Sequence, residues 1–207
     1  MTEQIRPSLH PYQGKRAFDL AVLAVVLVPA ILVCAVCAVA ILLAGPGPIF
    51  FTQERVGRDG RPFRVVKFRT MLQGSDRDVF PDRARITAVG RWLRRLSFDE
   101  LPQLINVAKG EMSIVGPRPA LQYQVERYND VQRRRLSVRP GITGLAQVRG
   151  RNMISWPDRI SLDLEYVDHE SAALDTQILW LTVQAVTRGT GVEGHLRDDP
   201  IASLPPG

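Results

Sequence analysis

The longest hydrophobic run in the chain extends from Leu20 to Ala44, twenty-five residues without one charge. A helix needs about twenty such residues to cross a hydrocarbon core, so this run belongs in a membrane. It is too long for a cleavable signal, and no small-x-small cleavage site follows it. Pro29 lies in its first half and withdraws one backbone hydrogen bond, so the expected helix bends or breaks there. Basic residues stand on both sides, Lys15 and Arg16 before the run and Arg55, Arg58, Arg61 and Arg64 after it. That symmetry gives no orientation to a single span and favours a re-entrant segment that enters and leaves on one side, although a plain anchor helix fits the same pattern.

After Gly45 to Pro48 the stretch IFFTQERVGRDGRPFRVVKFRTM reads as two short strands around a turn at Gly57 to Gly60. Residues 73–85 have no sustained period and are expected as a surface loop or short helix. Ile86, Val89, Trp92, Leu93 and Leu96 recur at helical spacing, and Leu101 to Val107 continues as a second helix. Leu121 to Leu136 is helix-like and charged, whereas the Gly-rich stretch Arg139 to Asn152 is expected as an irregular, functional loop. Ile178 to Val186 predicts an amphipathic helix that packs on the core or lies in the membrane interface. The tail from Gly189 is loose in character.

Charge changes the picture next. The chain of 207 residues carries a formal net charge of +6, and 24 of its 27 basic residues are Arg. Acidic partners are favoured, whether nucleic acid, anionic lipid or phosphorylated small molecules, and arginine suits forked recognition of phosphate. Cys34 and Cys37 lie inside the apolar run, where a metal or redox pair would lack polar support, and read as small apolar residues.

Candidate chemistry centres on Ser97-Phe98-Asp99-Glu100-Leu101-Pro102. Ser97 with Glu100 fits a capping box, a purely structural role. Pro102, tolerated only in a first turn, instead moves the helix start toward Asp99 and puts its carboxylate at the cap. Arg91, Arg94 and Arg95 lie one to two turns earlier and can neutralise a phosphorylated ligand. An ionised carboxylate there can act as nucleophile or metal ligand, and an Asp-Glu pair beside a diphosphate suits one Mg²⁺. Arg118 leaves a stiff backbone between Pro117 and Pro119, although a turn with an incidental arginine reads the same way. Lys67 alternates with Val66 and Phe68 and is expected to point away from the core.

These residues match a known family. KRAFDL at Lys15, the apolar segment, IFFTQERVG, VVKFRTM, LSFDELPQLINVAKGEMSIVGPRP, VRPGITGLAQVRGRNMISW, LDLEYV and TGVEGH occur in order over about nine tenths of the chain. In them the chain resembles the monotopic phosphoglycosyl transferases of the bacterial sugar transferase family, most nearly the small members that are catalytic domain alone. The resemblance implies that Asp99 attacks the β-phosphorus of a UDP-sugar and releases UMP, after which polyprenyl phosphate takes the sugar phosphate from the aspartyl intermediate. It implies Mg²⁺ on Asp99 and Glu100, phosphate on Arg94 and Arg118, further polar site positions at Lys67 and Asp163, and a nucleotide or sugar side at Arg149, Arg151 and Asn152. The family's re-entrant helix breaks at Ser-Pro, and here the pair is Val28-Pro29.

The expected fold is α+β and mainly helical, with an N-terminal re-entrant membrane helix broken at Pro29, a small β-hairpin and interfacial amphipathic helices. Residues 1–48 form the basic flank and membrane helix, 49–195 the catalytic domain and 196–207 the tail. The expected partners are a UDP-sugar, a polyprenyl phosphate and the bilayer at the cytoplasmic face of a bacterial inner membrane, not nucleic acid, with a homodimer allowed. The rival reading is a non-catalytic, membrane-tethered basic protein that binds nucleic acid or anionic lipid.

Overall fold

The apolar run forms one helix, α1 (Lys15–Leu43), in a computed structural model that describes residues 11–72, 86–150 and 154–187. It spans about 43 Å at the usual rise per residue. The helix continues through Pro29 and does not break there. Proline removes one rung of the hydrogen-bond ladder, and the rungs before and after it are enough to carry the helix on. Buried positions Lys15, Asp19, Leu23, Ala30, Cys37 and Ile41 recur at steps of four or seven, so a single stripe faces the rest of the protein. Leu20, Val25, Leu27, Val28, Ile31, Leu32, Val36, Val39, Leu42 and Leu43 stay exposed around it.

Both ends of α1 are tied to the same body. At its start Lys15 Nζ donates to the Val115 carbonyl at 3.0 Å and to Asp175 Oδ2 at 2.6 Å. One turn on, Asp19 Oδ1 accepts from Ser113 Oγ and the Ile114 amide. At its end Cys37 and Ile41 pack with Phe68 and Leu93. Arg69 donates to the carbonyls of Ile41, Gly45 and Pro46, a cation on carbonyls that have no partner within the helix.

The expected hairpin is present. Strands β1 (Phe50–Val56) and β2 (Pro62–Phe68) pair antiparallel, with Phe51 opposite Lys67, Gln53 opposite Val65 and Arg55 opposite Phe63. Helix α2 (Ala88–Arg95) starts at Thr87, whose hydroxyl accepts from the Gly90 amide. A 3₁₀ helix (Phe98–Gln103) and α3 (Leu104–Lys109) follow. The side chain of Asn106 on α3 works as a third strand would. Its Oδ1 accepts from the Val66 amide and its Nδ2 donates to the Arg64 carbonyl, which locks α3 to the edge of β2.

Two segments depart from expectation. Leu121 to Leu136 is not one helix but α4 (Gln122–Glu126), α5 (Asp130–Arg133) and a 3₁₀ turn (Arg134–Ser137). The interruption is Asn129, which caps α5 in a reciprocal pair with Gln132. The Gly-rich stretch after Arg139 is not an irregular loop. It holds β4 (Gly141–Thr143), parallel to β3 (Ser113–Val115), and α6 (Leu145–Arg149). Its glycines serve close approach rather than disorder. A Cβ on Gly141 would meet the Gly116 nitrogen at 2.1 Å, and one on Gly144 would meet the Gly116 carbonyl at 2.2 Å.

Helices α7 (Trp156–His169) and α8 (Ala172–Thr187) complete the fold. Tyr166 and Ile178 join Val65, Val107, Met112, Ile114, Val115 and Leu145 in the main core. The predicted Ile178 to Val186 helix is thus the second half of α8, with Trp180 and Val183 on its exposed side.

Gly90 shows how tightly α2 meets the backbone that follows β2, since a Cβ there would lie 2.1 Å from the Thr70 carbonyl oxygen. Gly90→Ala is expected to destabilise the protein by about 3 kcal/mol through overpacking against backbone. Chemical denaturation of the detergent-solubilised variant checks this, and a change under about 0.5 kcal/mol would mean that the two elements separate easily.

Candidate active site

The two acidic residues project from a bend. Ser97 stands in the left-handed region (φ 57°, ψ 20°), its side chain makes no cap hydrogen bond, and the 3₁₀ helix starts directly after it. The capping-box role is therefore absent, and so is a helix that begins with Asp99 at its cap. A tighter helix lets Pro102 sit inside without losing a needed donor, and Asp99 and Glu100 occupy its free first turn. A serine at positive φ is uncommon and strained, and such positions cluster at working sites.

Glu100 is held by two cations from distant parts of the chain. Lys67 Nζ donates to Glu100 Oε1 at 2.7 Å, and Arg118 Nη2 donates to the same oxygen at 2.8 Å. Glu100 Oε2 has only a long contact of 3.5 Å to Arg118 Nη1. Lys67 does not point to solvent as expected. It shares the Val65 face of β2, and the 3₁₀ helix packed on that face meets it with a carboxylate. Burial works against ionisation of Glu100, but Arg118 and then Lys67 overcome it and hold the group well below the usual carboxylate range.

Asp99 is different. Among the described residues no donor is hydrogen-bonded to its carboxylate. Burial, and next the Glu100 charge, raise its proton affinity above the ordinary value, while Lys67, Arg94 and Arg118 pull the other way. Arg94, in the last turn of α2, is steadied by its Nε donating to Thr70 Oγ1 at 2.9 Å. One carboxylate is thus clamped in its ionised form and its neighbour is left open.

Behind Arg118 stands a buried support. Arg135 Nη2 donates to the Arg118 carbonyl at 2.9 Å and to Asp163 Oδ2 at 2.5 Å, and Nη1 donates to the Tyr128 hydroxyl. Asp163 is 1% exposed, so its place is behind Arg118, holding Arg135 and through it the loop. On the other flank the Gly116 amide donates to the Thr143 carbonyl and the Gly141 amide to the Pro117 carbonyl. The parallel β3 and β4 pair, with the two prolines, therefore sets where Arg118 emerges.

The structure thus gathers Lys67, Arg94, Asp99, Glu100 and Arg118 into one site and places Asp163 behind it. Arg149 is elsewhere, exposed on α6 with its guanidinium on both oxygens of Glu165. Arg151 and Asn152 lie outside the described residues. Sequence reasoning missed Arg135 and Tyr128. Arg135 sits in a run of three arginines that reads as a solvated helix face, and no local pattern marks it as buried.

The model of the bacterial sugar transferase family matches residues 11–189. The chain belongs to the bacterial sugar transferase family. This transferase is 46% identical over 182 residues to the uncharacterized sugar transferase EpsL of Bacillus subtilis, covering 86% of this chain and 90% of that relative. It is 43% identical over 183 residues to the UDP-glucose:undecaprenyl-phosphate glucose-1-phosphate transferase of Escherichia coli, covering 82% of this chain but 39% of that protein. It is 40% identical over 164 residues to the undecaprenyl-phosphate galactose phosphotransferase of Salmonella typhimurium, covering 70% of this chain and 34% of that one. The transferase thus spans nearly the whole of the Bacillus relative and little more than a third of the two enteric ones.

Proposed function

We propose that this transferase moves a sugar 1-phosphate from a UDP-sugar to a polyprenyl phosphate, undecaprenyl phosphate by likeness to its relatives, in two displacements through an aspartyl intermediate. The observation that carries the proposal is the open Asp99 carboxylate beside Lys67, Arg94 and Arg118, with Glu100 clamped next to it. An Asp99 oxygen attacks the β-phosphorus, the bond to the bridging oxygen breaks, and its electron pair leaves with UMP. A phosphate oxygen of the acceptor then attacks the same phosphorus, giving polyprenyl diphosphosugar and freeing Asp99. In both steps charge gathers on phosphate oxygens, and Arg118, Arg94 and Lys67 are pre-positioned cations for it.

The donor set also fits Mg²⁺. Asp99 has no competing donor and Glu100 Oε2 is nearly free, so these two carboxylates would hold the ion with substrate oxygens completing its shell. Magnesium supplies further neutralisation of the diphosphate when bound. Placement in a membrane follows from α1, whose exposed faces are apolar along its length. Both ends of α1 dock on one body, so a seat at the cytoplasmic face brings the site to the membrane surface, and the unbroken helix does not itself form a re-entrant turn. Exposed Trp92, Trp180 and Val183 suit an interfacial collar.

The test is UMP release from a panel of UDP-sugars by protein in detergent with Mg²⁺ and undecaprenyl phosphate. Release from one donor names the sugar, and no release from any donor sinks the proposal in favour of a membrane-tethered binding protein. The reaction should also fail in acid. Asp99 reacts as the carboxylate, so kcat/KM for the donor should rise with pH through an acid limb. A kcat/KM that does not fall in acid would contradict a carboxylate nucleophile.

A further inference from the structure

We infer that Arg55 is a further phosphate-binding arginine of the site, gripping the phosphate that departs with the nucleotide. The inference rests on the transfer reading above. Arg55 lies on β1 and shares the sheet face of Gln53, Phe51 and, across the hairpin, Lys67. Its Nη1 donates to the Pro119 carbonyl at 3.1 Å, one residue beyond Arg118, and its Nη2 to Gln53 Oε1 at 2.6 Å. Both acceptors are neutral, and among the described residues no carboxylate forms an ion pair with it. Its Nε is buried and has no hydrogen-bond partner among the described residues.

A half-buried guanidinium without a counter-ion is costly, and more so beside another arginine. The neighbouring acid, Glu100, is already bonded by Lys67 and Arg118. Burial and the Arg118 charge lower the proton affinity of Arg55 to about 10, the mark of a cation short of an anion. A phosphate between Arg55 and Arg118 removes that deficit.

The position suits the leaving group. Arg118 touches Glu100, next to the nucleophile, and Arg55 lies one step further out, at Pro119. In an in-line displacement the departing oxygen is on the far side of phosphorus from Asp99, and it is there that negative charge grows.

The experiment compares wild type, Arg55→Gln and Arg55→Lys in detergent with Mg²⁺. It measures donor kcat/KM, the acceptor KM, and inhibition by UMP and by uridine, which lacks the phosphate. Arg55→Gln should lower donor kcat/KM and weaken UMP inhibition, each by about 10- to 100-fold, the usual range for a lost charge-assisted contact. Uridine inhibition and the acceptor KM should hold, and Arg55→Lys should recover part of the loss. Unchanged UMP inhibition in Arg55→Gln, or equal weakening of UMP and uridine, would overturn the assignment. Wild type that releases no UMP from any donor would instead overturn the transfer reading, and the role of Arg55 with it.

Discussion

Asp99→Asn is expected to lower UMP release by about three orders of magnitude or more while leaving the protein folded. The amide has the shape of the carboxylate but cannot offer an anionic oxygen to phosphorus, so the first displacement has no nucleophile. The fold should not suffer, because no described residue is hydrogen-bonded to the Asp99 carboxylate. Burial and the Glu100 charge make its ionised form uncomfortable in the resting protein, so the melting temperature should stay level or rise. Rates of UMP formation together with thermal melts decide the matter. A variant that keeps a tenth of the wild-type rate would exclude covalent catalysis by Asp99, and one that unfolds would assign it a structural role.

Glu100→Ala should cost stability as well as rate. The side chain of Glu100 is 14% exposed and neutralises Lys67 and Arg118 together. Removing it leaves two cations facing each other with no anion, a change expected to cost about 3 kcal/mol. UMP release should fall by about two to three orders of magnitude, since Lys67 and Arg118 lose the anchor that aims them. Denaturant titration and UMP assay on the same preparations check both numbers. A stable variant with an intact rate would show that the clamp is idle. The same pair predicts an acid signature. The folded-state affinity of Glu100 for a proton is depressed, so its contribution is fully present above the ordinary glutamate value and is lost only as pH falls toward the depressed one.

Several working parts were legible in the chain because they are local. The twenty-five uncharged residues of the apolar run announce a membrane segment by count alone. The alternation on either side of Gly57 to Gly60 specifies a hairpin. Asp99 and Glu100 stood out because Pro102 restricts where a helix can begin, and Arg118 because two prolines stiffen its backbone. The readings that failed did so where distant backbone intervened. The glycines of Gly141 and Gly144 look like loop punctuation until Gly116 is seen against them. Pro29 looks like a break until the helix is seen docked on both sides of it.

What the sequence by itself determined is therefore the inventory: an apolar segment of membrane length, an acidic pair at a constrained helix start, and arginines in number. Those follow from spacing and covalent geometry, which act between near neighbours. Only the tertiary structure decided which cations meet which carboxylates. Lys67 and Glu100 are joined across 33 positions, Arg135 and Asp163 across 28, and Lys15 and Asp175 across 160. No periodicity encodes such pairings. They arise because β2, the 3₁₀ helix and the β3 and β4 pair share one core, and burial there favours charges that find a partner.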